Sequence, residues 1–227
     1  MTEYERNKDA FTAQGAIVTA MIAPLSAEQW EAPSTLPGWT VKVLVVHIMY
    51  HPRFLATYHA GLAKQPHMHE AYQTRPLVED RFSRWRIDGA APASFWRDYY
   101  IRAARLIDLD QLVPKFTQMM VDARFALDNL PATHVLKAQR GGILLGESIV
   151  YDVMELTIHT LDLARSLGEI PRFAHAARAV TIQTLEVLLE QPRSDDVADD
   201  VAFIAKATGR ARPGDLGIPA FNPTHDG

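Results

Sequence analysis

The chain has 227 residues, 48% of them hydrophobic and 22% charged, the balance of an ordinary packed domain and not of a disordered or fibrous chain. Its 23 basic residues against 27 acidic ones give a net charge of −4, without the positive field that draws proteins to nucleic acid or anionic membranes, so small-molecule partners are expected. Cysteine is absent, which excludes disulfides, thiolate metal ligation and a protein thiol as nucleophile; any thiol chemistry has to use a thiol from outside.

Helical spacing dominates, and no run alternates in the manner of a half-buried strand. The expected fold class is therefore all-α, a four-helix bundle with additional short helices. The N-terminus, MTEYERNKDAF, mixes acidic and basic residues where a signal peptide needs a positive stretch and then an apolar core, and a cytoplasmic location is expected. A first long helix is predicted from Glu3 to Pro24, with Phe11, Ile17, Ala20, Met21 and Ala23 on its apolar side. Ser26 and Gln29 fit a capping box that opens a short helical turn. The stretch from Ala32 to Trp39 reads as a loop, because two prolines and a glycine oppose regular structure, and Thr40 follows as an N-cap. The second long helix, Val41 to about Ala63, begins apolar on nearly every side and should be central, with a kink at Pro52 just after His51. Its apolar run, Val43 to Tyr50, is far shorter than the roughly 20 residues that cross a bilayer, so no membrane span is expected.

The polar stretch from Lys64 to about Ala91 is predicted to hold a short helix around Val78 to Trp85. A third long helix follows Pro92 and runs to about Leu112, with Phe95, Tyr99, Ala103 and Leu106 on one face and Pro114 closing it. A short helix near Phe116 to Asn129 comes next, then a connector, Pro131 to Gly146, with extended structure around Val135 to Ala138 and Ile143 to Leu145. The fourth long helix spans Glu147 to Leu167, with Gly168 at C′ and Pro171 beyond it. Helices at about Ala174 to Glu190 and Val197 to Thr208 pad the bundle, and the Pro/Gly-rich stretch from Pro213 to Gly227 is irregular. The organisation expected is one helical domain over residues 1–210 and a tail over 211–227.

The segment from Tyr151 to Asp162 is where chemistry concentrates. Residues four apart on a helix lie one above the other, so Glu155 and His159 present a carboxylate and an imidazole to one point, with Asp152 and Asp162 close to the same stripe. A third ligand is available in His47, which interrupts the apolar run of a helix that should be buried, and His51 sits one turn further along. Two histidines and a carboxylate form the ligand set of catalytic zinc sites, which keep a fourth position open, and the set also suits iron or nickel. Each residue has a plainer reading. A Glu–His pair four apart is more often solvent-facing, a lone histidine in an apolar helix is more often bonded to a backbone carbonyl, His51 can simply cap the break at Pro52, and the flanking acids can form a solvated face.

The joint pattern is more informative than its parts. The run Leu36-Pro37-Gly38-Trp39-Thr40-Val41-Lys42-Val43-Leu44-Val45-Val46-His47, with Glu155-x3-His159-Thr160-Leu161-Asp162-Leu163-Ala164, Gly168 and Thr208-Gly209-Arg210, resembles the mycothiol-dependent maleylpyruvate isomerase group of the DinB/YfiT-like metalloenzyme superfamily. The resemblance covers about residues 5 to 210. It implies a DinB/YfiT-like four-helix bundle with the metal between facing helices, zinc on His47, Glu155 and His159, Asp162 as the acceptor that orients His159, and mycothiol as co-substrate. Zinc deprotonates a coordinated thiol, and the thiolate would then attack an electrophilic substrate, giving isomerisation or S-transfer. Arg210, with Arg75 and Arg140 behind it, is a candidate for binding carboxylates on thiol or substrate, although surface solvation explains each as well. Trp39 either walls the pocket or anchors its loop. Two alternatives stay open. One is a hydrolase using metal-bound water with Asp162 or His51 as proton carrier; the other is a non-catalytic bundle with a structural metal, which a fourth protein ligand such as His51 would favour.

Overall fold

A computed structural model of the chain describes residues 1–52, 55, 93–138, 141–190, 192 and 199–211. Among them lie α1 (Glu3–Ile22), α2 (Ala27–Glu31), α3 (Val41–Ile48), α4 (Ala93–Ala104), α5 (Leu109–Asn129), α6 (Leu145–Ser166), α7 (His175–Leu188) and α8 (Asp200–Ala207). A two-stranded antiparallel ribbon, β1 (Val135–Ala138) and β2 (Gly141–Leu144), joins α5 to α6 with Val135 opposite Leu144. Among the described residues the architecture is all-α apart from this ribbon. The helix expected around Val78 to Trp85, Arg75, Arg140 and the tail from Pro213 lie outside the described residues. Among the described residues no helix is long and apolar enough to cross a membrane.

Local chemistry sets the helix starts. The Thr2 hydroxyl accepts from the Glu5 amide at the head of α1, Ser26 and Gln29 cap each other's backbone at α2 as the sequence predicts, and the Thr40 hydroxyl accepts from the Val43 amide at α3. α6 has no side-chain cap. Its first amides, Leu145 and Gly146, donate to the carbonyls of His134 and Ala132, so the segment just before β1 starts the helix two residues before the predicted Glu147.

Two proline effects differ from the sequence expectation. The second long helix breaks at Met49, and helix resumes over residues 50–52. A proline ring collides with the carbonyl four residues before it; for Pro52 that residue is Ile48, where α3 ends. Pro114 does not close a helix: α4 stops at Ala104, and Asp108 opens α5, which runs through Pro114 to Asn129. Pro114 is the sixth residue of α5, near enough to its start that only the bond to Asp110 is lost. The helix face also rotates, with Tyr100 and Ala104 buried while Leu106 is 85% exposed.

α6 is the axis of the fold. One side carries Ile149, Val153, Leu156 and Leu163 into a core with Phe11, Val18 and Ile22 of α1, Leu44 and Ile48 of α3, and Leu112, Phe116 and Leu127 of α5. The other side carries Val150, Met154, Ile158 and Leu161 against Leu185 of α7 and Phe203 and Ile204 of α8. Each large side chain so buried contributes about 1.5–3 kcal/mol, and a helix packed all round is an interior helix. Every residue from 152 to 164 is buried, so the polar ones among them need partners inside the protein. Gln14 of α1 shows the rule: fully buried, it donates to the Thr160 hydroxyl at 2.8 Å and accepts from the Ala174 amide at 3.0 Å.

Candidate metal centre

The i, i+4 spacing on α6 brings Glu155 Oε2 and His159 Nε2 to 3.2 Å. The last turn of α3 brings His47, whose Nε2 lies 2.8 Å from His159 Nε2 and 4.0 Å from Glu155 Oε2. A tetrahedral ion with bonds of about 2.0–2.1 Å keeps its ligand atoms about 3.3 Å apart, and these three separations straddle that value. The donor set is therefore one that could hold a divalent cation. His47, His51 and Glu155 also each offer a ligand atom, all within 4.8 Å of one another. The acids of this stripe are not a solvated face, since Asp152, Glu155, His159 and Asp162 are all buried.

Two carboxylates stand behind the cluster. His159 Nδ1 meets Asp162 Oδ2 at 2.9 Å, and His51 Nδ1 meets Asp152 Oδ1 at 3.0 Å. Both follow the carboxylate–histidine arrangement that fixes ring orientation and tautomer. His51 Nε2 faces Glu155 Oε2 at 3.8 Å and is buried without a hydrogen-bond partner. The part of Asp152 was missed in the sequence, although its spacing to Glu155 places it one helical turn away.

Arg210 sits elsewhere than expected. α8 ends in a Schellman turn: Gly209 has φ +71°, its amide donates to Lys206 O, and the Arg210 amide donates to Ala205 O at 2.6 Å. That turn points the guanidinium inward, where Nε and Nη2 donate to the two oxygens of Asp162 at 2.7 and 2.9 Å. The Arg210 side chain is 6% exposed, so it holds Asp162 and is not presented to a carboxylate on a ligand. Asp162 in turn is favoured in its ionised form. Burial works to raise its pKa, but Arg210 and His159 outweigh it and hold the carboxyl well below the usual carboxylate range.

The remaining electrostatics follow the same pattern. Burial pushes His47 well below the ordinary histidine value, and His159 adds to that against the pull of Glu155. Burial also acts to lower His159, but its bonds to Asp162 and Glu155 prevail and raise it. Glu155, whose burial alone would raise it, is brought down to about 2 by His159, His51 and His47.

Trp39 is half-buried, its ring 5.2 Å from that of His47. The turn Leu36-Pro37-Gly38-Trp39 aims it: the Trp39 amide donates to Leu36 O, and Gly38, with φ +76°, takes the position that a type II turn reserves for positive φ. Tyr100, and not the Tyr99 that the helical spacing places on the apolar face, is the buried one of the two, and it completes the wall with its ring 4.6 Å from His47. Tyr50 and Tyr100 also line an apolar cavity of about 390 Å³ with Val46, Met49, Arg102 and Met119, a size that suits a small ligand.

Searches of curated proteins and of solved structures gave no match. The family model described as mycothiol maleylpyruvate isomerase N-terminal domain matches residues 11–164, more than half of the chain and a span that includes the Trp39 turn, α3 and nearly all of α6. The chain belongs to the family of mycothiol maleylpyruvate isomerase N-terminal domains.

Proposed function

We propose that this protein is a metal-dependent enzyme that engages an external low-molecular-weight thiol, mycothiol by family, to isomerise or S-transfer a small electrophilic substrate. The observation that carries the reading is the convergence of His47 Nε2, Glu155 Oε2 and His159 Nε2 within 2.8 to 4.0 Å from two helices far apart in sequence. A divalent cation such as zinc held by these residues supplies thiol deprotonation at neutral pH, which a chain without cysteine cannot provide from its own side chains. Asp162 keeps the His159 Nδ1 proton and so turns the Nε2 lone pair toward the site, with Arg210 fixing Asp162 as a carboxylate. The rings of Trp39 and Tyr100 shield His47 from water, and the neighbouring apolar cavity accepts the non-polar part of a ligand.

The test is cobalt substitution. One equivalent of Co(II) in the wild type, little in His47→Ala, and a new sulfur-to-cobalt charge-transfer band on adding mycothiol are the expected results. A cobalt spectrum that ignores mycothiol refutes the thiol reading, and equal trace metal in wild type and His47→Ala refutes the site.

A further inference from the structure

The apolar cavity has one wall in common with the histidine cluster. The Tyr100 ring that packs 4.6 Å from His47 also lines the cavity, and Val46, the neighbour of His47, lines it from α3. Beyond them the lining is aliphatic or sulfur-bearing, with Met49, Ala103, Ile107 and Met119. Three large apolar side chains that stay exposed, Tyr50 at 37%, Tyr99 at 40% and Leu106 at 85%, border the same space. Exposed apolar surface gathered around a concave site marks a place that a ligand covers.

Arg102 is the single charged side chain among the described lining residues. It is exposed and has no ion-pair partner among the described residues; Asp98, the acid one turn before it on α4, lies 3.5 Å from Arg97. Tyr99 and Arg102, three apart, share a face of α4. A guanidinium fork matches the shape of a carboxylate, and a charge-assisted bond at the edge of an apolar space is stronger than one in open water. The plainer reading, an arginine whose stem covers apolar surface while its charge stays in water, gives no preference for an anion.

We propose that this cavity binds a carboxylic acid with an aromatic or branched aliphatic body, the body enclosed between α3, α4 and α5 and the carboxylate on Arg102. Its part as the electrophilic substrate rests on the function proposed above, whereas its binding does not. Arg102 then takes the carboxylate-binding role that the sequence offered to Arg210, whose guanidinium is occupied by Asp162.

Calorimetric titration of the metal-free full chain, in which no ion can take the carboxylate, compares 4-phenylbutyrate with its primary amide and with succinate. The acid should bind about 10–100-fold more tightly than the amide, and succinate, which has the charge without the body, should not bind measurably. Arg102→Gln should bring the acid to the level of the amide and leave the amide unchanged, and Ala103→Phe, which fills the cavity, should abolish both. Equal binding of acid and amide, equal binding of acid and succinate, no binding at all, or an acid preference that survives in Arg102→Gln overturns the proposal. If Ala103→Phe does not fold, Overhauser contacts from the phenyl protons to the Met119 methyl locate the ligand, and their absence overturns the location. Acid binding in a protein whose cobalt spectrum ignores mycothiol sinks the thiol reading and leaves the cavity assigned, whereas a mycothiol response without acid binding does the reverse.

Discussion

Asp162→Asn is the substitution that separates holding the fold from holding the metal. The carboxylate takes two bonds from Arg210, at 2.7 and 2.9 Å, and one from His159 Nδ1 at 2.9 Å, with both side chains of the ion pair almost fully buried. Removing one charge of a buried pair costs about 3–5 kcal/mol, because the other is left uncompensated. The amide oxygen still accepts one bond, so the expected loss is at the lower end, about 3 kcal/mol. At about 2–4 °C per kcal/mol for a chain of this size, Tm should fall by about 6–12 °C. The second effect is on His159, whose ring loses the acceptor that fixes its tautomer, and metal affinity should drop about 10–100-fold. Urea unfolding of the metal-free protein measures the first effect, and calorimetric metal titration against a competing chelator, below the melting range of the variant, measures the second. A folded variant that loses stability but binds metal as the wild type does would show that Asp162 braces Arg210 without orienting His159.

Three further outcomes are expected. Gln14→Met keeps the volume but strands the Ala174 amide and removes the link to Thr160; denaturant unfolding should show a loss of about 1–3 kcal/mol, with metal affinity unchanged. Gly168 closes α6 with φ +70° and open space where a Cβ would sit, so Gly168→Ala should cost about 1–2 kcal/mol from backbone strain alone, and an unchanged midpoint would refute that reasoning. Metal binding should be pH-dependent through His159: its raised pKa means that a proton has to leave as the ion binds, while His47 is already neutral and Glu155, at about 2, already ionised. Apparent affinity should then rise about tenfold per pH unit until the His159 pKa is passed, with about one proton released per ion when calorimetry is repeated in buffers of different ionisation enthalpy. The metal-free fold responds differently, because the lowered Glu155 contributes stability that is complete above its ordinary value of 4.5 and is lost as pH falls toward 2.

How much was legible beforehand depends on sequence distance. The Glu155/His159 pair and the capping residues Ser26, Gln29 and Thr40 lie within four positions of their partners, so local periodicity exposes them. His47 could be suggested because a histidine interrupts an apolar run, but its 2.8 Å approach to His159 spans 112 positions and needs the packing of α3 on α6. Pro52 was visible as a disruption, whereas its effect falls four residues earlier, at the carbonyl that the ring displaces. Pro114 does not end the helix because a proline near a helix start costs little; the start itself carries a local mark, since Asp108 is of the type preferred at N-caps, although its side chain makes no cap bond. Arg210 reads as a solvent-facing cation until the turn at Gly209 folds it onto a carboxylate 48 positions away.

Sandwiched between two apolar layers, α6 behaves as a rigid ruler for the groups it carries. Stripping the ion with a chelator would leave Glu155 and His159 at their spacing, and Asp152 and Asp162 behind the rings they hold. A cation entering such a site would meet side chains already in place, so binding and release would not require the domain to melt.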